Sequence, residues 1–186
     1  MTILASARLR LEPFDDCHVD GLNALNSDEE VMRYITGRAQ TREETIEMVD
    51  RVKTRWTQCG FSWWSFVELT SGEIVGAGCV QQLRKNQPDP DPAQPLEIGW
   101  RLRRDRWHRG LASEAAIVMA DFAFKTLQAD LICAVCHPDN AASAAVMNRL
   151  GMRYRGIESW YEKDLATYEM TPYEWNAKPK PGAASG

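Results

Sequence analysis

Residues 97–114 read EIGWRLRRDRWHRGLASE, and this stretch decides the fold. An apolar strand enters a turn rich in arginine, and a helix begins after Gly110. The first turn of a helix has free backbone N–H groups at the positive end of the helix dipole, an arrangement that binds phosphate or pyrophosphate. Gly110 allows a ligand to approach the backbone closely. Cationic side chains surround it at Arg101, Arg103, Arg104, Arg106 and Arg109. The stretch predicts a strand–turn–helix unit for a phosphorylated cofactor.

The arginine-rich turn has other interpretations besides a phosphate site. An arginine-rich turn before a helix is also typical of a solvated surface loop, and that alternative stays open. The chain contains no G-x-x-x-x-G-K-[ST] motif, and Gly99 and Gly110 are too far apart to belong to one G-x-G-x-x-G. A P-loop NTPase and a Rossmann dehydrogenase are therefore disfavoured.

Residues 107–112 read WHRGLA, and Ser113, Glu114 and Ala115 follow. This run resembles the acyl-CoA loop of the GNAT superfamily of N-acetyltransferases, [QR]-x-x-G-x-[GA], which precedes a long helix. Trp107 stands at the first position, a pattern similar to the branch that resembles ribosomal-protein N-terminal (RimJ/RimL-like) acetyltransferases. The resemblance also covers 8–13, 97–100, 140–143 and 150–152 in the family's order, and so spans most of the chain.

The resemblance implies an α/β (α+β) fold of the GNAT type. Its central sheet is mixed and mostly antiparallel, helices flank it, and a splayed parallel strand pair holds acyl-CoA. It also implies acetyl-CoA as cosubstrate, without a metal. The residues that it assigns to acyl-CoA binding are Trp100, Arg101, Leu102, Trp107, His108, Arg109, Gly110, Leu111, Ala112, Ser113, Asn140 and Ser143.

Local patterns predict the elements around this unit. Ser27 with Glu30, and Thr41 with Glu44, read as capping boxes that begin two helices, and the helix from Thr41 ends at Gly60. Alternation and turn residues predict strands over 8–12, 61–69, 73–83, 96–102, 131–136, 153–158 and 167–170, and helices over 14–26, 110–127 and 141–150. We expect an exposed, mobile loop over 84–95, one domain over 1–177 and a disordered tail over 178–186.

Acetyl transfer requires a neutral amine, so a base must accept a proton from it. Glu97 is the candidate base, acting through water, because alternation along its strand places Glu97 and Gly99 on one face. The family resemblance puts that strand beside the thioester. The alternative is a carboxylate that only ends a strand or pairs with an arginine.

The departing CoA thiolate needs a hydrogen-bond donor or a proton source. Many GNAT enzymes use a tyrosine at the position that Met147 occupies here, and methionine cannot donate a proton. We therefore predict Ser143 as the donor, with Asn140 contacting the pantetheine arm as the resemblance implies. Ser143 could instead only cap a helix, and Tyr154 is the second candidate donor.

The acceptor is open at this level. The branch resemblance favours the N-terminal α-amine of a protein or peptide, acetylated by direct attack in a ternary complex. A groove could be lined by Trp63, Trp64, Trp160 and Tyr161, although aromatic residues in strands are more often core. The alternatives are a small amine, such as an aminoglycoside or polyamine, and a non-catalytic acyl-CoA-binding module.

Composition limits the remaining choices. The net charge of −4 disfavours a nucleic-acid partner. The five cysteines are odd in number and scattered, which favours reduced thiols and a cytoplasmic location. No stretch approaches the ~18 apolar residues of a membrane span, and the three histidines show no metal-ligand spacing. We expect a monomer or homodimer.

Overall fold

Eight strands form one mixed sheet in the order β1-β2-β3-β4-β5-β6-β8-β7. The structure is a computed structural model that describes residues 1–84 and 91–177. The strands are β1 (Leu4–Ala5), β2 (Leu9–Pro13), β3 (Trp63–Glu68), β4 (Ile74–Gln82), β5 (Leu96–Leu102), β6 (Ile132–Cys136), β7 (Arg153–Trp160) and β8 (Lys163–Met170). The helices are α1 (Val19–Asn26), α2 (Glu29–Met32), α3 (Arg42–Cys59), α4 (Leu111–Lys125), α5 (Ala141–Leu150) and α6 (Pro172–Asn176).

The β5–β6 pair is parallel, whereas the other neighbours in the described sheet are antiparallel. Its register contains only Leu96 opposite Ile132 and Glu97 opposite Cys133. Beyond Glu97 the two strands therefore separate, and a gap opens along the rest of β5. This confirms the predicted mixed, mostly antiparallel sheet with a parallel pair.

Helices cover both faces of the sheet. A Cβ atom on Gly78 would lie 3.0 Å from Met119 of α4, so α4 packs on the face to which Gly78 points. Gly78 pairs with Trp100 on β5, and the next residue, Arg101, points to the other face and contacts Met48 of α3. Because side chains alternate along a strand, α3 and α4 lie on opposite faces.

Most predicted elements are confirmed, and the differences are local. The helix predicted from Ser27 begins one residue later, because Asp28 accepts the backbone N–H groups of Glu30 and Val31, and it spans only four residues. The helix predicted over 14–26 is a 3-10 turn at Asp16–His18 followed by α1. β8 starts at Lys163 rather than 167, and β1 and α6 were not predicted.

Two expectations concern residues outside the described ranges. Half of the mobile loop expected over 84–95, namely residues 85–90, lies outside the described residues, and so does the whole tail expected over 178–186.

Candidate active site

Glu97 lies at the point where β5 and β6 separate, on the face of the sheet that carries α3. Its side chain is only 7% exposed. It accepts hydrogen bonds from Gln81 Nε2 at 3.1 Å and from the Tyr161 hydroxyl. Burial raises the pKa of Glu97, while those two hydrogen bonds and the charge of Arg84 act to lower it. Both hydrogen-bond donors that the described residues supply to this carboxylate are neutral groups.

Tyr161 occupies the tight turn between β7 and β8. It adopts a left-handed backbone conformation (φ 52°), as does Glu162 (φ 59°), a pattern typical of two-residue hairpin turns that match strand twist. Its backbone N–H donates to Arg84 O at 2.9 Å, and the Arg84 guanidinium carbon lies 5.7 Å from its ring centroid. The turn therefore fixes the phenol over Glu97. Burial and the Glu97 carboxylate both raise the pKa of Tyr161, so it stays a donor.

Trp63 and Gln81 extend the hydrogen-bond network of Glu97. Trp63 Nε1 donates to Gln81 Oε1 at 3.1 Å, and Gln81 Nε2 reaches both Glu97 and the Tyr161 oxygen. Gln81 also lines a small open pocket with Arg55, Cys59, Phe61, Ser62, Gln82 and Arg84. The side chain of Gln81 thus joins the carboxylate to a surface concavity.

The four aromatic residues of the predicted groove have different positions. Trp63 and Tyr161 belong to the Glu97 network. Trp64 is fully buried, with its ring edge-on to Trp56 and Phe122, so it is core. Trp160 is also buried, and its Nε1 donates to Thr167 Oγ1.

The loop between β5 and α4 is fastened by ion pairs to neighbouring segments. Arg8 Nη1 donates to Arg109 O at 2.9 Å, and the same guanidinium pairs with Glu114 Oε2 at 2.6 Å. Glu114 Oε1 accepts from the Ser6 hydroxyl and from the Arg8 backbone N–H, each at 2.7 Å. Gly110 (φ 76°) and His108 (φ 59°) take the left-handed conformation that bends the chain into α4. Trp107 Nε1 donates to Leu102 O at 2.9 Å.

The five arginines of the predicted cationic loop separate into three groups. Arg103 pairs with Asp105 and Glu73, and Arg106 pairs with Glu68, Glu73 and Asp105. Arg104 and Arg109 are exposed on the loop. Arg101 points to the Glu97 face instead, so its side chain is directed away from the start of α4.

The remaining predicted cofactor residues surround the gap and the start of α4. Trp100 and Leu102 point to the α4 face of β5, opposite to Glu97. Leu111, Ala112 and Ser113 form the first turn of α4, and the Ser113 hydroxyl is buried without a hydrogen-bond partner among the described residues. The first turn of α4 is therefore slim and contains free N–H groups.

Asn140 and Ser143 lie together at the start of α5, the helix that follows β6. Asn140 Oδ1 accepts the Ser143 backbone N–H at 3.1 Å and caps the helix. The interpretation of Ser143 as the cap is therefore wrong, because Asn140 has that role. Met147 is buried, and Tyr154 is half exposed with its ring 5.1 Å from that of Tyr168.

Cys133 and Cys136 point to opposite faces of β6, as alternation predicts. Burial raises the pKa of Cys133 to about 12 and that of Cys136 to about 11. In the described ranges, no group of three or more His, Cys, Asp or Glu side chains could hold a metal ion, and no helix is long and apolar enough to cross a membrane.

Known proteins share this architecture. A family model described as the acetyltransferase (GNAT) domain matches residues 8–153. The Bacillus subtilis protein named uncharacterized N-acetyltransferase YnaD is 33% identical over 93% of this chain and 99% of its own length. The crystal structure of a GNAT-family acetyltransferase from Bacillus anthracis superposes with a TM-score of 0.76 and is 25% identical in sequence. The match covers 93% of this chain and 100% of that chain.

A further structural neighbour is RimL, a ribosomal L7/L12 α-N-protein acetyltransferase in complex with coenzyme A. It has a TM-score of 0.72 and 19% identity, over 91% of this chain and 98% of its own, and at that identity it supports the fold alone. The GNAT resemblance is thus confirmed by sequence and by structure. The chain belongs to the GNAT family of N-acetyltransferases.

Proposed function

We propose that this acetyltransferase uses acetyl-CoA to acetylate the N-terminal α-amine of a protein or peptide, by direct attack in a ternary complex. The observation that carries the proposal is the buried Glu97 carboxylate, held by Tyr161 and Gln81 where β5 and β6 separate. An α-amine has a pKa of ~7.7–8.0 and needs only modest help to lose its proton, whereas a lysine side chain at ~10.4 needs more. Glu97, whose pKa is raised by burial, suits the removal of a proton from an α-amine better than from a lysine side chain.

The cofactor would lie across the start of α4 and the gap beside β5. The pyrophosphate would bind the free N–H groups of Gly110, Leu111, Ala112 and Ser113, with Arg109 and His108 beside it. The pantetheine arm would follow the backbone of Trp100–Leu102 and reach Asn140. Ser143 would then donate to the leaving thiolate, and Tyr154 is the alternative donor.

The charges around Glu97 favour a peptide over the small polyamines and aminoglycosides. Arg101 and Arg55 have no carboxylate partner among the described residues, and Arg84 lies over Tyr161. A polycation would meet these guanidinium groups at close range and be repelled. RimL, which shares the fold, is named as an α-N-protein acetyltransferase.

The remaining proposals concern the whole chain. We place it in the cytoplasm, because the five cysteines described here are free thiols. Residues 1–177 are proposed as one domain. A monomer or homodimer remains our expectation.

The test is acetyl-CoA-dependent thiol release with two acceptor panels, one of peptides with different free N-termini and one of polyamines and aminoglycosides. Mass spectrometry of the product locates the acetyl group. Turnover of peptides with acetyl on the α-amine supports the proposal, and turnover of small amines alone replaces it with the small-amine alternative. Bound acetyl-CoA without turnover of either panel would favour a non-catalytic module.

A further inference from the structure

Among the described residues, Arg101 is a buried cation without a counter-ion. Its side chain is 7% exposed, and its guanidinium carbon lies 4.7 Å from the centroid of the Trp63 ring. Nη2 is 3.5 Å from the thioether sulfur of Met48, and Nε is buried without a hydrogen-bond partner. No carboxylate pairs with Arg101 anywhere in residues 1–84 and 91–177. Such an arrangement is unusual, because a charge removed from water is normally paired.

The ring face and the thioether compensate for only part of the lost hydration. A cation over an aromatic ring is stabilised, but the guanidinium donors are satisfied only by acceptors, and sulfur is a weak one. Burial lowers the pKa of Arg101 to about 10, so the group is still charged at neutral pH. The described residues therefore supply no anion to this site.

Arg101 lies on the same side of the sheet as the candidate base. Glu97, Gly99 and Arg101 alternate along β5 and share one face. Trp63 connects Arg101 to Glu97. Its ring lies against the Arg101 guanidinium, and its Nε1 donates to Gln81, which in turn donates to Glu97. Gly99 between them has no side chain, and a Cβ atom there would lie 3.1 Å from the buried sulfur of Cys79 on β4, so a ligand must enter from the side of α3.

Arg55 is a second cation on this face of the sheet, and it acts on the buried thiol of Cys79. Burial raises the pKa of the Cys79 thiol and Glu97 raises it further, whereas Arg101 and Arg55 both lower it. The three charged groups thus surround one buried thiol. Arg55 is partly buried and has no ion pair within the described residues. Two positive charges, Arg101 and Arg55, therefore act on the face of the sheet that carries Glu97, and an anionic acceptor would be attracted to them.

We propose that Arg101 binds a carboxylate of the acceptor while Glu97 takes the proton from its amine. The inference rests on the proposed function and narrows it. Four residues of strand separate the two Cα atoms by about 13 Å, and an extended peptide advances ~3.3 Å per residue. Both side chains are long and cover part of this span, so we assign the carboxylate to an acidic side chain within the first three residues of a peptide.

The test uses pairs of peptides that differ only in Glu or Gln at position 2 or 3, a change that removes charge and keeps shape. Their kcat and KM are measured with the wild type, R101M, R101K and R51M, and their binding to the CoA-saturated protein is measured by calorimetry. Arg51 is an exposed arginine on α3, paired with Glu47, and serves as the matched control. Thermal unfolding of each variant establishes that it is folded.

A charge-assisted hydrogen bond predicts a preference of about 10–100-fold for the Glu peptide in the wild type, mainly in KM. R101M should abolish that preference, so that the ratio of kcat/KM for the Glu peptide to kcat/KM for the Gln peptide falls to about 1. R101K should retain part of it, and R51M all of it. A wild type that does not distinguish the peptides, or an R101M variant that still does, would overturn the inference.

The two proposals can fail separately. If peptides are not acetylated but acidic amino acids are, with a preference over their amides that R101M removes, the peptide acceptor is wrong and the role of Arg101 stands. If peptides are acetylated without regard to charge, the acceptor class stands and the role of Arg101 is wrong. Where no acceptor is turned over, the calorimetric preference decides the inference.

Discussion

At the scale of single residues, the base that we propose, Glu97, is buried at a cost in stability. Burial disfavours its charged form and raises its pKa above the ordinary value of 4.5. The native protein therefore holds a proton on this group in a pH range where the unfolded chain has lost it. The stability that Glu97 contributes is present below its unfolded pKa and declines as pH rises through the folded value.

This linkage predicts the stability of Glu97→Gln. Glutamine does not titrate, so the variant should gain free energy of unfolding relative to wild type as pH rises from about 4 toward 8. Urea unfolding of both proteins at several pH values measures the difference, in which the other carboxyl groups cancel. A difference that does not change with pH would show that Glu97 has an ordinary pKa.

Tyr161 and Gln81 both donate to Glu97, and the sequence did not mark either of them as its partner. The left-handed backbone conformation of Tyr161 is unusual for a tyrosine. The residue types at 161 and 162 do not predict it, because hairpin turns of this type normally contain Asn or Gly. Only the fold brings this turn to Glu97. The sequence indicated Tyr161 only as one of four aromatic residues that could line a groove.

Tyr161→Phe removes a hydrogen bond that favours the ionised form of Glu97. The pKa of Glu97 should therefore rise, and the ascending limb of kcat/KM against pH should move to higher pH with unchanged CoA affinity. Tyr173→Phe, at an exposed hydroxyl on α6, is the matched control and should leave the profile in place. A Tyr161→Phe profile identical to wild type would remove Tyr161 from the positioning of Glu97.

At the scale of elements, capping and turn chemistry made most of the fold predictable. The helix from Thr41 to Gly60 is confirmed because both of its ends are set locally, by the Thr41–Glu44 capping box and by the left-handed Gly60. The strand at 96–102 and the helix at 141–150 are confirmed at both boundaries. Such elements are specified by their own residues.

Elements stabilised by distant contacts were missed. β1 has two residues and exists only through its pairing with β2, and α6 places Trp175 Nε1 on Asp121 of α4. The same holds within the site, where Arg101 was grouped with the loop arginines but lies on the other side of the strand. The sequence predicts which face of a strand a residue occupies, but it does not predict which helices or strands cover that face.

The contact between Arg8 and Glu114 ties the first strands to the cofactor loop. Glu114→Ala removes bonds to Ser6, the Arg8 backbone and the Arg8 guanidinium, so it should cost about 1–3 kcal/mol of unfolding free energy. Because Arg8 also holds the Arg109 carbonyl, the Kd for CoA should rise several-fold. Denaturant unfolding and calorimetric titration measure the two effects. Glu43→Ala, exposed on α3, is the control.

A pH dependence accompanies that contact. Partial burial acts to raise the pKa of Glu114, but the hydrogen bonds from Ser6 and Arg8 outweigh it and lower the pKa. Glu114 therefore stabilises the fold above its unfolded pKa, and this contribution is lost as pH falls through the lowered folded value. The penalty of Glu114→Ala should shrink in acid, and a penalty that is equal at pH 7 and pH 3 would contradict the role of the ion pair.

At the scale of the whole molecule, the charge distribution is uneven. The chain has a net charge of −4, yet Arg55, Arg84 and Arg101 lie around its candidate base. The electrostatic selection of the acceptor that we propose would therefore be local rather than a property of the overall charge. This is why the net charge disfavoured nucleic acid and said little about the substrate.

The five thiols should divide into two classes. Burial raises the pKa of Cys79, Cys133 and Cys136, whereas Cys17 is exposed and Cys59 partly so. A thiol reagent should label at most Cys17 and Cys59 in the native protein and all five cysteines after unfolding, as intact mass and peptide mapping would show. Rapid native labelling of Cys79 would mean that the sheet face beside Glu97 is far more open than described.

The measurement that tests the account most directly is the pH dependence of kcat/KM for wild type and Glu97→Gln on one α-amine peptide, with acetyl-CoA affinity measured alongside. We predict that the variant loses about 10²–10⁴-fold in kcat/KM and the ascending limb that belongs to Glu97, while it binds acetyl-CoA as wild type does. Equal rates and an unchanged limb in the variant would show that Glu97 does not take the proton.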